Sequence, residues 1–207
     1  IDIIGDVDME QVDIIECDCF DVIALEKLFL KLESFRIHGC VNCLSYRPMT
    51  KFMDDSLENW NLSISKNSLS MFALARFFGR KFKENGGGAL VFISSIYGVV
   101  GPDFDLYRDE SFETEPDYPF IKGGVIVFTK YIASYFRNSN VRANCLVAGG
   151  LYGGQPSTFV EKYSQKTLLG RMADDDDITG PTIFLLSDLS KYLTGTTLTA
   201  DGGWTAI

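Results

Sequence analysis

Residues 89–98 read Ala89-Leu90-Val91-Phe92-Ile93-Ser94-Ser95-Ile96-Tyr97-Gly98, an apolar run that ends on two hydroxyls and a turn residue. A continuous apolar stretch of this length, with Gly86-Gly87-Gly88 before it, predicts a strand buried on both faces. Such strands belong to parallel sheets covered by helices, so the flanking segments should alternate between helical and strand patterns.

Upstream, Val12 to Cys17 predicts a strand, and Asp21 to Phe35 an amphipathic helix carrying Ile23, Leu25, Leu28, Leu30 and Leu32. Ile37 to Leu44 then predicts a second strand. Asp55 with Glu58 three residues on resembles a capping box, and opens a long helix in which Trp60, Ile64, Met71, Leu74 and Phe78 recur at helical spacing. Downstream, Pro119 fits the first turn of a helix running to Phe136, with Ile121, Val125, Phe128, Ile132 and Tyr135 on one stripe. Val141 to Ala148 predicts the next strand. The acid run Asp174 to Asp177 suits the positive end of a following helix, and Lys191 to Thr199 predicts a last strand before Asp201-Gly202-Gly203. The expected fold class is α/β, a doubly wound, mostly parallel, Rossmann-like sheet in a single domain over 1–207.

Bulk properties narrow the partners. At 207 residues, 46% hydrophobic and 23% charged, the chain has the composition of an ordinary globular domain. A net charge of -9 argues against nucleic acid or an anionic membrane surface, both of which would repel it. No run approaches the roughly 18 apolar residues of a membrane span. Five cysteines, an odd number at irregular spacing, suit a reducing compartment, so cytoplasm is the expected location. Cys17-x-Cys19 and Cys40-x-x-Cys43 lie inside apolar strand-like runs with only His38 as an imidazole, and no metal site is expected from them.

The chemistry lies in Ser95, Tyr118 and Lys122. A phenol with a free pKa of about 10 is a poor acid-base group at neutral pH, and a neighbouring ammonium repairs this by stabilising the phenolate. Residues four apart share a helix face, so Tyr118 and Lys122 can act on one ligand. Ser95 ends a strand at the carboxyl edge of the sheet, where ligand crevices form, and the next helix returns Tyr118 and Lys122 to that edge. Asn42 ends an earlier strand, and Asn67 lies inside a helix, where asparagine is locally unfavourable unless it bonds something.

On these residues the chain resembles the short-chain dehydrogenase/reductase family, over nearly its whole length. Asp18 in Cys17-Asp18-Cys19 matches the family's adenine-contacting aspartate, and Asn42-Cys43-Leu44-Ser45 stands where the family has Asn-Asn-Ala-Gly. Trp60 with Asn67, Ile93-Ser94-Ser95-Ile96-Tyr97-Gly98, Tyr118 with Lys122, Val141-Arg142-Ala143-Asn144-Cys145, Ala148-Gly149 and Asp201-Gly202-Gly203 complete the match. The resemblance implies hydride transfer between NAD or NADP and an alcohol or carbonyl. Tyr118 would exchange the proton with the substrate oxygen, Lys122 would stabilise its phenolate and bind the nicotinamide ribose, Ser95 would orient the substrate oxygen, and Asn67 would hold a water of the proton relay. Asp18, Asn42, Cys43 and the segment from Ala148 and Gly149 through Leu151 to Gly153 would border the dinucleotide. The family also implies a homodimer or homotetramer, through the helices over 55–84 and 119–136, with Phe72, Phe77, Phe128 and Tyr131 as apolar surface.

Three departures from the family pattern accompany the match. No glycine-rich phosphate turn stands before residue 18, so the first βαβ unit reads as incomplete; Ile1 to Asp8 could be a remnant of its second strand, and the first residue is Ile rather than Met. The family's Pro-Gly is Ala148-Gly149, and its downstream threonine corresponds to about Gly153. Ser95 and Tyr118 stand further apart than in the family's short members, around an acidic and aromatic segment from Tyr97 to Asp117. That spacing resembles the branch that epimerises or dehydrates nucleotide sugars, whereas Leu169-Gly170-Arg171-Met172 and Thr194-Gly195 resemble the short oligomeric branch and, within it, oxidoreductases of surface-sugar and flagellin modification. A sugar-like substrate is therefore expected, with Tyr97, Tyr107, Tyr152 and Gln155 as pocket candidates. Two alternatives stay open: a non-catalytic oligomeric relative without cofactor, and a nucleotide-sugar epimerase or dehydratase.

Overall fold

A computed structural model describes residues 13–108 and 110–207. Four parallel strands form one sheet in the order β1-β2-β3-β4, with β1 at Gly39–Asn42, β2 at Gly88–Ser95, β3 at Val141–Ala148 and β4 at Thr197–Ala200. The helices are α1 (Val22–Leu32), α2 (Leu57–Glu84), α3 (Asp117–Tyr135), α4 (Ser157–Ser164) and α5 (Asp175–Leu186). The register sets Asn42 beside Phe92, Phe92 beside Cys145 and Ser95 beside Ala148, so the carboxyl ends of β1, β2 and β3 share one edge.

Strand alternation explains why the central run is apolar throughout. Leu90 and Phe92 of β2, with Ala143, Cys145 and Val147 of β3, pack with Leu74, Phe78 and Phe82 of α2 and Val125 and Ile132 of α3. Val91 and Leu146 turn to the opposite face, against Leu185 of α5. Both faces of the sheet are thus covered, as period-two geometry requires of a strand with no polar side. Arg142, on the α5 side, donates to the carbonyls of Leu185, Leu186 and Ser187 and to Ser190 Oγ, closing the C-terminal end of α5.

Helix starts follow local chemistry. Asp174 caps α5 in a capping box with Asp177, so the acid run does serve a helix N-terminus. At α2 the expected Asp55–Glu58 box is replaced by Ser56, whose Oγ accepts from the Asn59 amide at 3.0 Å. Asp55 instead accepts from the amides of Thr50 and Ser56 and from Asn59 Nδ2, which ties down the preceding loop.

Several expected elements differ. Residues 13–17 join no strand: Ile14 is 69% exposed, and no sheet partner stands beside that segment among the described residues. Val12 and the possible strand remnant at 1–8 lie outside the described residues. The first expected helix ends at Leu32 rather than Phe35, and the strand expected over 37–44 is confined to β1. Of the last strand, expected over 191–199, only residues 197–199 pair, within β4: Leu193 instead donates to the Ser190 carbonyl and Gly195 turns the chain at a φ of 71°. α4 was not foreseen; its eight residues make little more than two turns, in which only Phe159 and Tyr163 are buried.

Candidate active site

β2 ends in Ser94 and Ser95, and each hydroxyl has a distinct use. Ser94 Oγ donates to the Lys122 carbonyl at 2.7 Å, and Lys122 Nζ donates to the Ile93 carbonyl at 2.9 Å, so the strand end and α3 are bonded in both directions. Ser95 Oγ accepts from the Tyr97 amide at 3.2 Å and starts the 3-10 turn Ile96–Gly98. Gly98 is dictated by this junction: a Cβ there would stand 2.7 Å from the Lys122 backbone and 2.8 Å from Ser94 Oγ.

Ser95, Tyr118 and Lys122 line one cleft of about 510 Å³ at the carboxyl edge, together with Cys43, Ala148, Gly149 and Leu151. Lys122 Nζ lies 5.6 Å from the centre of the Tyr118 ring. Burial is the main force on the lysine and lowers its pKa to about 8; the charge of Arg47 acts the same way, while Cys43 and Cys145 oppose it. Burial likewise raises the Cys43 thiol, which Lys122 partly offsets.

The substrate side is walled by aromatics. Tyr97 and Tyr107 share a hydrogen bond of 2.8 Å between their hydroxyls, and the Tyr107 ring meets Phe112 and Phe159. Burial pushes the Tyr97 phenol far above its usual range. Tyr163 of α4 accepts from the Gly150 amide at 2.5 Å and stacks on Trp204; burial holds its phenol up at about 12. Asp201 accepts from the amides of Gly203 and Thr205, and Gly202 and Gly203 take φ of 63° and 85°, so the Asp-Gly-Gly motif is a turn that carries Trp204 to Tyr163.

Other expected site residues sit elsewhere. Asn67 does not line the cleft: its Nδ2 donates to the carbonyls of Tyr46 and Ser63 and its Oδ1 accepts from the Tyr46 amide, so the side chain is spent on the loop after β1. Asn42 Oδ1 accepts from the Leu44 amide at 3.0 Å and shapes the same loop from outside the cleft. Asp18 Oδ1 accepts from the Phe20 amide on an exposed turn, also away from the cleft. Of the pocket candidates, Tyr97, Tyr107 and Gln155 line it, whereas Tyr152 is 60% exposed and does not. Arg47, Thr114, Phe159 and Tyr163 line it without having been singled out; each lies on a segment that only tertiary packing brings there.

The donor set fits the nicotinamide half of a dinucleotide, because an ammonium, two hydroxyls and the backbone after β3 converge on one cleft at the strand ends. A parallel sheet with a cleft at its carboxyl edge is the arrangement in which α/β proteins bind dinucleotides. Residues 4–205 match the family model described as enoyl-(acyl carrier protein) reductase. The chain is 33% identical over 187 residues to post-translational flagellin modification protein A of Campylobacter coli, covering 87% of this chain and 72% of that protein. It is 28% identical over 195 residues to L-rhamnose 1-dehydrogenase (NAD(P)(+)) of Azotobacter vinelandii, covering 90% and 72%. A short chain dehydrogenase from Leptospira borgpetersenii with bound NAD+ superposes with a TM-score of 0.85 at 35% identity, over 92% of this chain and 74% of that one. The chain spans 59 to 72% of the length of the first curated relatives it matches. The chain belongs to the short-chain dehydrogenase/reductase family and is an NAD(P)-linked oxidoreductase.

Proposed function

We propose that this chain moves a hydride between NAD or NADP and an alcohol or carbonyl on a sugar-like substrate, with Tyr118 as the proton-transfer group. The observation that carries the reading is the convergence of Ser95, Tyr118 and Lys122 on one aromatic-walled cleft at the carboxyl edge of the sheet. NAD(P), when bound, supplies or accepts the hydride. The Tyr118 oxygen takes the proton of the substrate hydroxyl in oxidation and returns it in reduction. Ser95 hydrogen-bonds to the same substrate oxygen and fixes its position. Lys122 holds the nicotinamide ribose hydroxyls, and Cys43, Ala148, Gly149 and Leu151 border that half; Asp18 is assigned to the adenine and Asn42 to the border of the dinucleotide, both outside this cleft. Asn67 acts by fixing the loop at Tyr46 rather than through a free amide.

The sugar-like substrate is supported by the hydroxyl-bearing aromatic wall and by the name of the rhamnose dehydrogenase relative. Neither alternative reading from the sequence gains support, since relatives with named reactions are dehydrogenases or reductases. Titration of NADH and NADPH into the full-length protein, followed by fluorescence, is expected to give saturable binding to at least one; saturation by neither contradicts the proposal.

Self-association through α2 and α3 belongs to the same reading. Phe72, Phe120, Val127, Tyr131 and Tyr135 stand 52 to 69% exposed on those helices, while Phe77 is buried against Phe29 and contributes nothing to such a surface. A light-scattering mass of a dimer or tetramer is expected, and a monomer mass contradicts it. A cytoplasmic setting is supported by the five free cysteines. Among the described residues no helix is long and apolar enough to cross a membrane.

A further inference from the structure

Two loops meet above Tyr118. Arg47, from the loop after β1, places its guanidinium carbon 4.4 Å from the centre of the Tyr118 ring, and its Nη2 pairs with Glu115 Oε2, 68 residues on in the segment before α3. Both loops thereby close over the phenol that has Lys122 beside it. We propose that the Arg47–Glu115 pair sets the specificity of the cleft, favouring an uncharged polyhydroxylated substrate over a carboxylate-bearing one. The inference rests on Tyr118 being the group at which the substrate reacts.

The charge pattern carries it. A guanidinium at the mouth of a cleft ordinarily invites a carboxylate. Here the charge of Arg47 is already matched by Glu115, and Glu113 lines the same cleft, so an incoming anion finds the guanidinium neutralised and meets the Glu113 carboxylate. Lys122, the other cation of the cleft, keeps its charge but is held against the Ile93 carbonyl and is assigned to the cofactor ribose rather than to the substrate. Like charges at close range are a strong means of rejecting one ligand in favour of another. The hydrogen-bonding pattern points the same way. The guanidinium bonds Glu115 through one nitrogen, leaving further donors beside an acceptor, and adjacent hydroxyls each need both. Thr114 lines the cleft with a buried hydroxyl that has no partner.

Hexoses and the corresponding hexonates, titrated into the full-length protein by calorimetry, test the proposal. At least one hexose is expected to bind about tenfold or more tightly than its hexonate, and Glu115→Gln should shift that ratio about tenfold toward the hexonate by freeing the guanidinium. Glu115→Asp, which keeps the charge, should retain the wild-type preference. Should Glu115→Gln fail to fold, Arg47→Met provides the second variant, expected to lose hexose binding without gaining hexonate binding. Hexonates binding as well as hexoses, no hexose binding at all, or an unchanged ratio in Glu115→Gln overturns the proposal. A failure of the hydride-transfer reading shows separately, as absent NADH and NADPH binding or as retained turnover in Tyr118→Phe.

Discussion

Ser94 Oγ donates to the carbonyl oxygen of Lys122 at 2.7 Å, so the last turn of the central strand is bonded to the helix that carries Tyr118. Both groups are buried, and removing the hydroxyl leaves that carbonyl with one fewer partner. Ser94→Ala is expected to cost about 1 to 3 kcal/mol of stability, read as a lower urea midpoint, and to lower turnover as the helix carrying Tyr118 loses this tie.

Gly98→Ala tests the same junction sterically. Its Cβ would stand 2.7 Å from the carbon and oxygen of the Lys122 carbonyl, both backbone atoms with little freedom to yield. A loss of about 1 to 3 kcal/mol is expected in urea unfolding, with cofactor affinity falling as α3 shifts.

Lys122 gives stability and cofactor binding opposite dependences on pH. Its pKa is held by burial at about 8 against an ordinary 10.5, so the folded protein releases this proton before the unfolded chain does. Below pH 8 both states are protonated and the burial cost is fully present; as pH rises from 8 to 10.5 the cost is relieved, and stability gains on the order of 3 kcal/mol from this group. Cofactor affinity should fall over the same range, because the ammonium that holds the ribose is lost. Urea unfolding and NADH titration between pH 7 and 10 in wild type and Lys122→Met check both, and the variant should lack this rise in stability.

Asn67→Leu is expected to cost about 2 kcal/mol and to speed amide exchange at Tyr46, because the amide that holds that loop in both directions is gone. An unchanged exchange rate at Tyr46 would contradict the role assigned to this side chain.

The sheet was legible because it is buried on both faces: Ala89 to Ser95 and Val141 to Ala148 can pack only one way, and β2 and β3 form almost as read. Elements whose apolar content is shared with loops were not. Ile14 and Ile15 read as strand residues yet stand exposed, and the short helix α4 offers only the single i, i+4 pair Phe159 and Tyr163. Within the site, Ser95, Tyr118 and Lys122 were legible because strand end and helical spacing place them together. Arg47 and Glu115 were not, since a pairing 68 residues apart leaves no local pattern. Asn67 was legible as an anomaly, an asparagine in mid-helix, but its partner at Tyr46 depends on how a loop folds back.

The central claim is that Tyr118 moves the proton, and Tyr118→Phe tests it most directly because it removes one oxygen and keeps the ring beneath Arg47. The measurement is NAD(P)-linked turnover of the best alcohol or carbonyl substrate, alongside NADH binding and circular dichroism. Turnover should fall by a factor of about 100 or more while fold and cofactor binding persist. Turnover near that of the wild type would contradict the account.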